Sequence, residues 1–250
     1  GAVNYYKTGE ILERQTLQPA DQESMKPLLD KLSLRKIMNR MDDEDYLDKK
    51  IAVLSDIHSN FDALNNAVDI ILQGHIDKVV VLGDLLTYGC QVKEVLDLLK
   101  QLEKRVPCLF VIGNHDEFYF DLQAGTKQTR YKVPDFIQES IDWNLTQLDI
   151  DLRSHFIWHD SIAMGPVFLS HANPFGSRNW QYLNTPEECF EAVKVLGETG
   201  FQVGIFGHTH RKKNLAFNQG KVITQPLLEF RYKEQTGSCY IVNPGSVGQP

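Results

Sequence analysis

A continuous apolar run at residues 51–54 leads straight into Ser55-Asp56-Ile57-His58, and no other stretch constrains this chain as much. Apolar residues without alternation predict a strand covered on both faces. Asp56 and His58 then fall two residues apart at its carboxyl end, where extended geometry points both side chains the same way. A carboxylate and an imidazole sharing one direction at the rim of an α/β sheet are expected as metal ligands. A turn aspartate beside a rim histidine gives the same local pattern, so the rest of the chain has to decide.

From residue 51 onward strands and helices alternate. Asn60 is placed to cap a helix over 61–73, with Phe61, Leu64, Val68, Ile71 and Leu72 on one face. Residues 78–82 read as a second buried strand, ending at Gly83-Asp84. A second helix is predicted over 92–104, with Val92, Val95, Leu96, Leu99 and Leu102 on one stripe, and Pro107 stops it. A third strand over 108–112 ends at Gly113-Asn114-His115-Asp116. This order is the pattern of right-handed parallel crossovers. Residues 118–134 read as irregular and 134–148 as a helix. Shorter strands follow: 162–170, ending at His171; 203–206, ending at Gly207-His208-Thr209-His210; then 222–224 and 239–242. Thr185-Pro186-Glu187-Glu188 is a capping box with proline at the first helical position, opening a helix to about residue 196.

Residues 1–49 have a different character. Met25, Leu28, Leu29 and Leu32 recur at helical spacing, and Leu34, Ile37, Met38 and Met41 continue it after a phase break near Ser33. One kinked helix or two short ones are expected, followed by a charged connector. We divide the chain into an N-terminal helical arm, 1–49, and a main domain, 50–250. The arm is read as packed on the main domain. The sharper readings are homo-oligomerisation through it or docking on a partner.

The formal net charge of -7 argues against a protein that binds long nucleic acid, which would carry a basic stripe. It is compatible with a small phosphorylated substrate, because bound cations reverse the local field. Cys90, Cys108, Cys189 and Cys239 are scattered, with no Cys-x-x-Cys, and read as free thiols of a cytoplasmic protein. No apolar run approaches the length of a membrane span, and no signal-peptide pattern opens the chain. Gly1 in place of an initiator methionine reads as a processing remnant.

Each chemistry-bearing cluster sits just after a predicted strand. If the strands share one core, seven candidate ligands face one place: Asp56, His58, Asp84, Asn114, His171, His208 and His210. Oxygen and imidazole donors without thiolate suit manganese, iron, zinc or nickel. Seven exceed what one tetrahedral site needs, and suit two ions about 3.5–4 Å apart sharing a carboxylate. Singly, Gly-Asp and Gly-His are common turn residues, Asn114 fits a turn and His171 a core histidine. Together, and in this order, they point to a two-metal centre.

These blocks, Asp56-x-His58, Gly83-Asp84, Gly113-Asn114-His115-Asp116, His171 and Gly207-His208-x-His210, strongly resemble the calcineurin-like metallophosphoesterase superfamily. With Thr87-Tyr88-Gly89 and Asn243-Pro244-Gly245-Ser246-Val247-Gly248-Gln249, they look like its small bacterial and archaeal phosphodiesterase-like branch. The resemblance covers roughly residues 51–250. It implies an α/β fold of two β-sheets in a sandwich flanked by helices. It also implies that two divalent or trivalent transition-metal ions are held, one by Asp56, His58 and His210, the other by Asn114, His171 and His208, with Asp84 bridging. His115 would contact the scissile phosphate and Asp116 would orient His115. Asn60 matches a position often near substrate, although helix capping explains it equally well. Family members usually continue beyond Gln249 with a basic residue and a final strand, so a shortened C-terminus is expected here, and the arm 1–49 has no counterpart in the minimal pattern.

The expected function is therefore metal-dependent hydrolysis of a small phosphodiester, phosphomonoester or dinucleoside polyphosphate. The loop after His171 carries Arg178, which can clamp a distal phosphate, and Phe175 and Trp180, which can stack on a base. Two alternatives stand beside this reading. One is a non-catalytic scaffold on the same fold, which would be expected to have lost ligands. The other is a regulatory protein that uses the arm to bind a partner.

Overall fold

Strand β1 (Ala2–Asn4) pairs antiparallel with β2 (Lys50–Leu54), so the first residues of the chain join the sheet of the main domain. In the computed structural model, residues 2–4, 49–126, 132–218, 221–224, 230–231 and 238–249 are described. The helices expected within 21–41 and the charged connector after them lie outside the described residues.

The unbroken apolar run of β2 serves two cores. Ala52 and Leu54 face a helical layer, whereas Ile51 and Val53 face a second sheet. That division explains the lack of alternation, since both faces of the strand exclude water. Helix α1 (Phe61–Gln73) follows, with Asn60 Oδ1 accepting the Ala63 N–H at 3.0 Å and Leu64, Val68 and Ile71 buried. Strand β3 (Lys78–Val81), helix α2 (Val92–Glu103) and strand β4 (Cys108–Val111) complete the crossovers. Helix α3 (Asn114–Gln123) and helix α4 (Asp135–Gln147) precede the short strand β5 (Trp158–His159). Strands β2 to β5 are parallel and adjacent, which brings the carboxyl ends of β2, β3 and β4 side by side.

The second half forms the other sheet. Strands β6 (Ile162–Met164) and β7 (Val167–Leu169) make a hairpin. Helix α5 (Pro186–Glu198) leads to β8 (Val203–Ile205), parallel to β7. Strands β9 (Lys213–Asn218), β10 (Lys221–Thr224), β11 (Phe230–Arg231) and β12 (Ser238–Asn243) follow. The sheet orders are β11-β1-β2-β3-β4-β5 and β10-β9-β12-β8-β7-β6. Between them lies a dry core that includes Ile51, Val53, Val80, Leu82, Met164, Val167, Ile205 and Val242. Each such side chain contributes about 1.5–3 kcal/mol on burial. Helices α1 to α4 cover the outer face of the first sheet and α5 that of the second.

The expected two-sheet sandwich flanked by helices is therefore what the chain forms. The chief local difference is α3. Residues 114–123 were expected to turn and then run irregularly, yet they form a helix buried on nearly all sides, with Phe118, Tyr119 and Phe120 inside. A helix enclosed by protein has no polar face to mark its period. Strand β9 also went unforeseen.

Candidate metal centre

The loop after β2 is not extended. Asp56, His58 and Ser59 adopt φ of 56°, 49° and 51°. Strand alternation therefore does not align Asp56 with His58, and a left-handed turn brings them together instead. This turn is laid against the loop after β3: the N–H groups of Ile57 and His58 both donate to Asp84 O, at 2.9 and 3.0 Å. His58 Nε2 lies 4.0 Å from Asp56 Oδ1. His210, from the loop after β8, brings its Nε2 to 3.1 Å from His58 Nε2 and 3.2 Å from Asp56 Oδ1.

A second cluster joins Asp84, His171 and His208, all buried. Asp84 Oδ2 stands 3.3 Å from His171 Nε2 and 3.9 Å from His58 Nε2, so it faces both clusters. Asn114 Oδ1 lies 3.1 Å from His171 Nε2. Three of the imidazoles are oriented by backbone carbonyls. His58 Nδ1 donates to Leu86 O at 3.0 Å, His171 Nδ1 to Leu82 O at 2.6 Å, and His208 Nε2 to Trp180 O at 3.0 Å. A carbonyl accepts only, so His58 Nδ1, His171 Nδ1 and His208 Nε2 carry hydrogen, and the other nitrogen of each ring is the one left to serve a cation in place of a proton.

Three features test whether these residues suit bound cations. In each cluster the donor atoms lie within 4.8 Å of one another. Asp56 Oδ1 is buried with only the His210 ring nitrogen beside it, at 3.2 Å and outside good hydrogen-bond geometry, while Oδ2 accepts from Ser55 Oγ and the His208 N–H. His58 and His210 present ring nitrogens to each other at a separation that two ligands of one ion would have. A buried, unsatisfied carboxylate oxygen is costly unless a cation meets it. The residues fit.

The charge balance agrees. Burial works against ionising Asp84, yet His171, His115 and His58 hold it well below the usual carboxylate range. Burial likewise disfavours a charged His171, but Asp84 and Asp56 raise it to about 9. Carboxylates this deep draw positive charge to themselves.

Residues 49–212 match the family described as calcineurin-like phosphoesterase. The chain belongs to that family. It is 32% identical over 214 residues to the uncharacterized protein MJ0912 of Methanocaldococcus jannaschii, covering 80% of this chain and 76% of the relative. The fold is similar to that of a metallophosphoesterase from Sphaerobacter thermophilus, with TM-score 0.57 and 23% identity over 81% of this chain and 78% of the other. It is also similar to the hypothetical protein PH1004 of Pyrococcus horikoshii, with TM-score 0.62 and 16% identity over 80% and 77%.

In this phosphoesterase the other candidates are placed unevenly. His115 sits in the first turn of α3, with its ring centre 5.2 Å from that of His58 and its N–H donating to Asp84 Oδ1 at 2.8 Å. Burial pushes its pKa down to about 4, against the pull of Asp84. Asp116 does not orient it. The Asp116 carboxylate accepts the N–H groups of Asp84 and Gly113 at 2.8 Å and of Leu85 at 3.0 Å, while His115 Nδ1 is buried without a partner. Asp116 sits one position after His115 on the helix, and its oxygens are consumed by the Gly83-Asp84-Leu85 turn. Asn60 is also committed elsewhere: Oδ1 caps α1 and Nδ2 donates to Gly248 O at 3.0 Å.

Arg178 is brought near the centre. It lines a shallow pocket together with His171, Asn173 and Trp180. Its Nε pairs with Glu117 Oε1 at 2.7 Å, and Glu117 Oε2 accepts from Trp180 Nε1 at 3.1 Å. Glu117 was missed by sequence reasoning. Its place immediately after Asn114-His115-Asp116 was the available signal. Tyr88 and Tyr182 flank the clusters, the first edge-on to His58 at 4.7 Å and the second stacked on His208 at 4.2 Å.

Proposed function

We propose that this phosphoesterase hydrolyses a small phosphodiester, phosphomonoester or dinucleoside polyphosphate at a two-metal centre. Asp56, His58 and His210 would hold one ion, Asn114, His171 and His208 the other, and Asp84, which faces both clusters, would serve the two. The observation that carries this reading is the position of Asp84 Oδ2, within 4 Å of an imidazole nitrogen from each cluster.

Oxygen and imidazole donors suit manganese, iron, zinc or nickel. Two such ions, when bound, neutralise phosphate oxygens and lower the pKa of water from roughly 15.7 toward 7. The chain's own residues do the rest. Asp116 fixes the backbone on either side of the bridging carboxylate, and the His115 N–H fixes Asp84 Oδ1. The His115 ring stands beside the first cluster. Burial keeps it neutral in the resting site, and a phosphate anion alongside favours its protonated form, the form that can give a proton to a departing oxygen. Arg178, anchored through Nε by Glu117, is the nearby cation for a distal anionic group. An unbroken ligand set favours turnover over a scaffold role.

No helix among the described residues is long and apolar enough to cross a membrane. The four free cysteines support a reducing, cytoplasmic setting.

The test is Asp84→Asn in manganese-reconstituted protein, assayed on bis-p-nitrophenyl phosphate, cyclic nucleotides, dinucleoside polyphosphates and phosphomonoesters. At least a hundredfold loss of kcat with retained circular dichroism is expected. Wild-type turnover in that variant would sink the bimetal reading.

A further inference from the structure

Asn144 lies far from every metal motif in sequence, on α4, and its side chain is completely buried. All its bonding positions are used. Oδ1 accepts from Ser59 Oγ at 2.7 Å and from the Thr87 N–H at 3.2 Å. Nδ2 donates to Gly89 O at 3.2 Å and Ser140 O at 2.9 Å. An amide has two such lone pairs and two such hydrogens, so nothing is left over.

Three of these four partners belong to the loops that carry His58 and Asp84. Both loops run through left-handed backbone at residues other than glycine: His58 and Ser59 in one, Thr87 at φ 78° and Tyr88 at φ 65° in the other. A β-branched residue such as Thr87 pays heavily for that conformation, and it persists only where the surroundings over-determine it. Asn144 is the part of those surroundings that touches both loops.

The Thr87 N–H that Asn144 accepts and the Leu86 carbonyl that accepts from His58 Nδ1 are two ends of one peptide unit. The chain of contacts is therefore short: Asn144 Oδ1, the Leu86–Thr87 peptide, His58 Nδ1, and then His58 Nε2 facing Asp56 and His210. Ser59, next to His58, is held by the same oxygen.

We propose that Asn144 is a positioning residue for the metal centre, fixing the ring orientation of His58 through the Leu86–Thr87 peptide. The inference rests on the two-metal reading above. It makes the first site depend on α4, whereas the Asp84, His171 and His208 cluster has its own carbonyl partners, Leu82 and Trp180. Losing the partner that orients a metal-binding histidine costs about 10–100-fold in metal affinity or activity.

The experiment measures manganese binding by calorimetry, with kcat on bis-p-nitrophenyl phosphate beside it. Asn144→Leu keeps the branched heavy-atom skeleton and removes the bonds. Ile141→Ala, a fully buried change on the same helix with no bond to either loop, is the control for stability alone. Asn144→Leu is expected to weaken one of the two manganese sites at least tenfold, well beyond Ile141→Ala at equal or greater loss of Tm. In a His210→Ala background, where the first site is already lost, it should weaken the remaining site less than twofold. In a His171→Ala background its full effect should persist. The inference is overturned if Asn144→Leu and Ile141→Ala lose affinity in step with Tm, or if the loss falls on the site that survives His210→Ala. Should Asn144→Leu fail to fold, Asn144→Ser is read in the same way. A wild-type protein that binds manganese and turns over no phosphoester would overturn the proposed function, and Asn144 would then be judged on binding alone.

Discussion

Gly113 is pressed against Asp84 so tightly that there is no room for a methyl group between them: a Cβ on Gly113 would lie 2.6 Å from the Asp84 backbone nitrogen and would overlap its carboxylate. The backbone at Gly113, with φ -97° and ψ 170°, is open to any residue. Glycine is required here by space and not by conformation.

Gly113→Ala should therefore displace the Asp84 carboxylate while leaving the helix that follows intact. We expect at least a hundredfold loss of kcat on bis-p-nitrophenyl phosphate in manganese-loaded protein, with unchanged far-ultraviolet circular dichroism. Full activity in this variant would show that Asp84 has freedom the packing denies it.

Asp116 is buried among three backbone N–H donors. Burial and the charge of Asp84 push its pKa up to about 7, against those donors. In Asp116→Asn one oxygen becomes an NH₂ group pointed at an N–H, leaving at least one donor unmet. The expected cost is about 1–3 kcal/mol of stability. Thermal unfolding of the metal-free protein measures it. A variant as stable as the parent would mean that the turn after β3 can be held without this carboxylate.

Chelation should destabilise the protein as well as silence it. Each ion at a hundred times its Kd adds about 2.7 kcal/mol to folding. For a domain of this size that corresponds to a rise in Tm of about 5–10 °C per site. Differential scanning calorimetry with excess EDTA against added manganese reads the difference directly. Equal Tm values in the two conditions would contradict a pair of ions held by both sheets.

The start of α5 offers a pH test remote from the centre. Thr185 Oγ1 accepts from the Glu188 N–H, and Glu188 Oε2 accepts from the N–H groups of Thr185 and Asn184. Thr185→Ala should cost about 1 kcal/mol. Those two N–H donors hold the Glu188 carboxyl below its ordinary value of 4.5. A carboxyl depressed in the folded state lends stability above its unfolded value and loses it as pH falls through the folded one. The gap in Tm between wild type and Glu188→Gln should thus be present at pH 7 and close below pH 4. A gap that stayed constant would show that the carboxylate's charge plays no part in the cap.

The loops that carry the candidate ligands were legible because their chemistry is concentrated at strand ends, where apolar runs stop at Asp, Asn and His. How those loops turn was not. Left-handed backbone at Asp56, His58 and Asp84 is not at glycine, because hydrogen bonds to the Gly83 and Asp84 carbonyls of the neighbouring loop, and to Asp116 from the Asp84 N–H, hold it from outside. The role of Asp116 was misjudged for the same reason. The family resemblance implied a side-chain pair with His115, whereas helical geometry turned the carboxylate toward a different loop. Asn144 gave no sign at all: a polar residue in a helix is ordinary until its burial is known.

Each candidate site takes ligands from both sheets, and His58 and His210 are separated by 152 positions in the chain. Once β2 to β5 have been made, the chain holds only half-sets of donors: Asp56 with His58, Asp84 with Asn114. The histidines that complete them, His171, His208 and His210, arrive with the second half of the chain. A full donor set therefore requires that one half pack on the other.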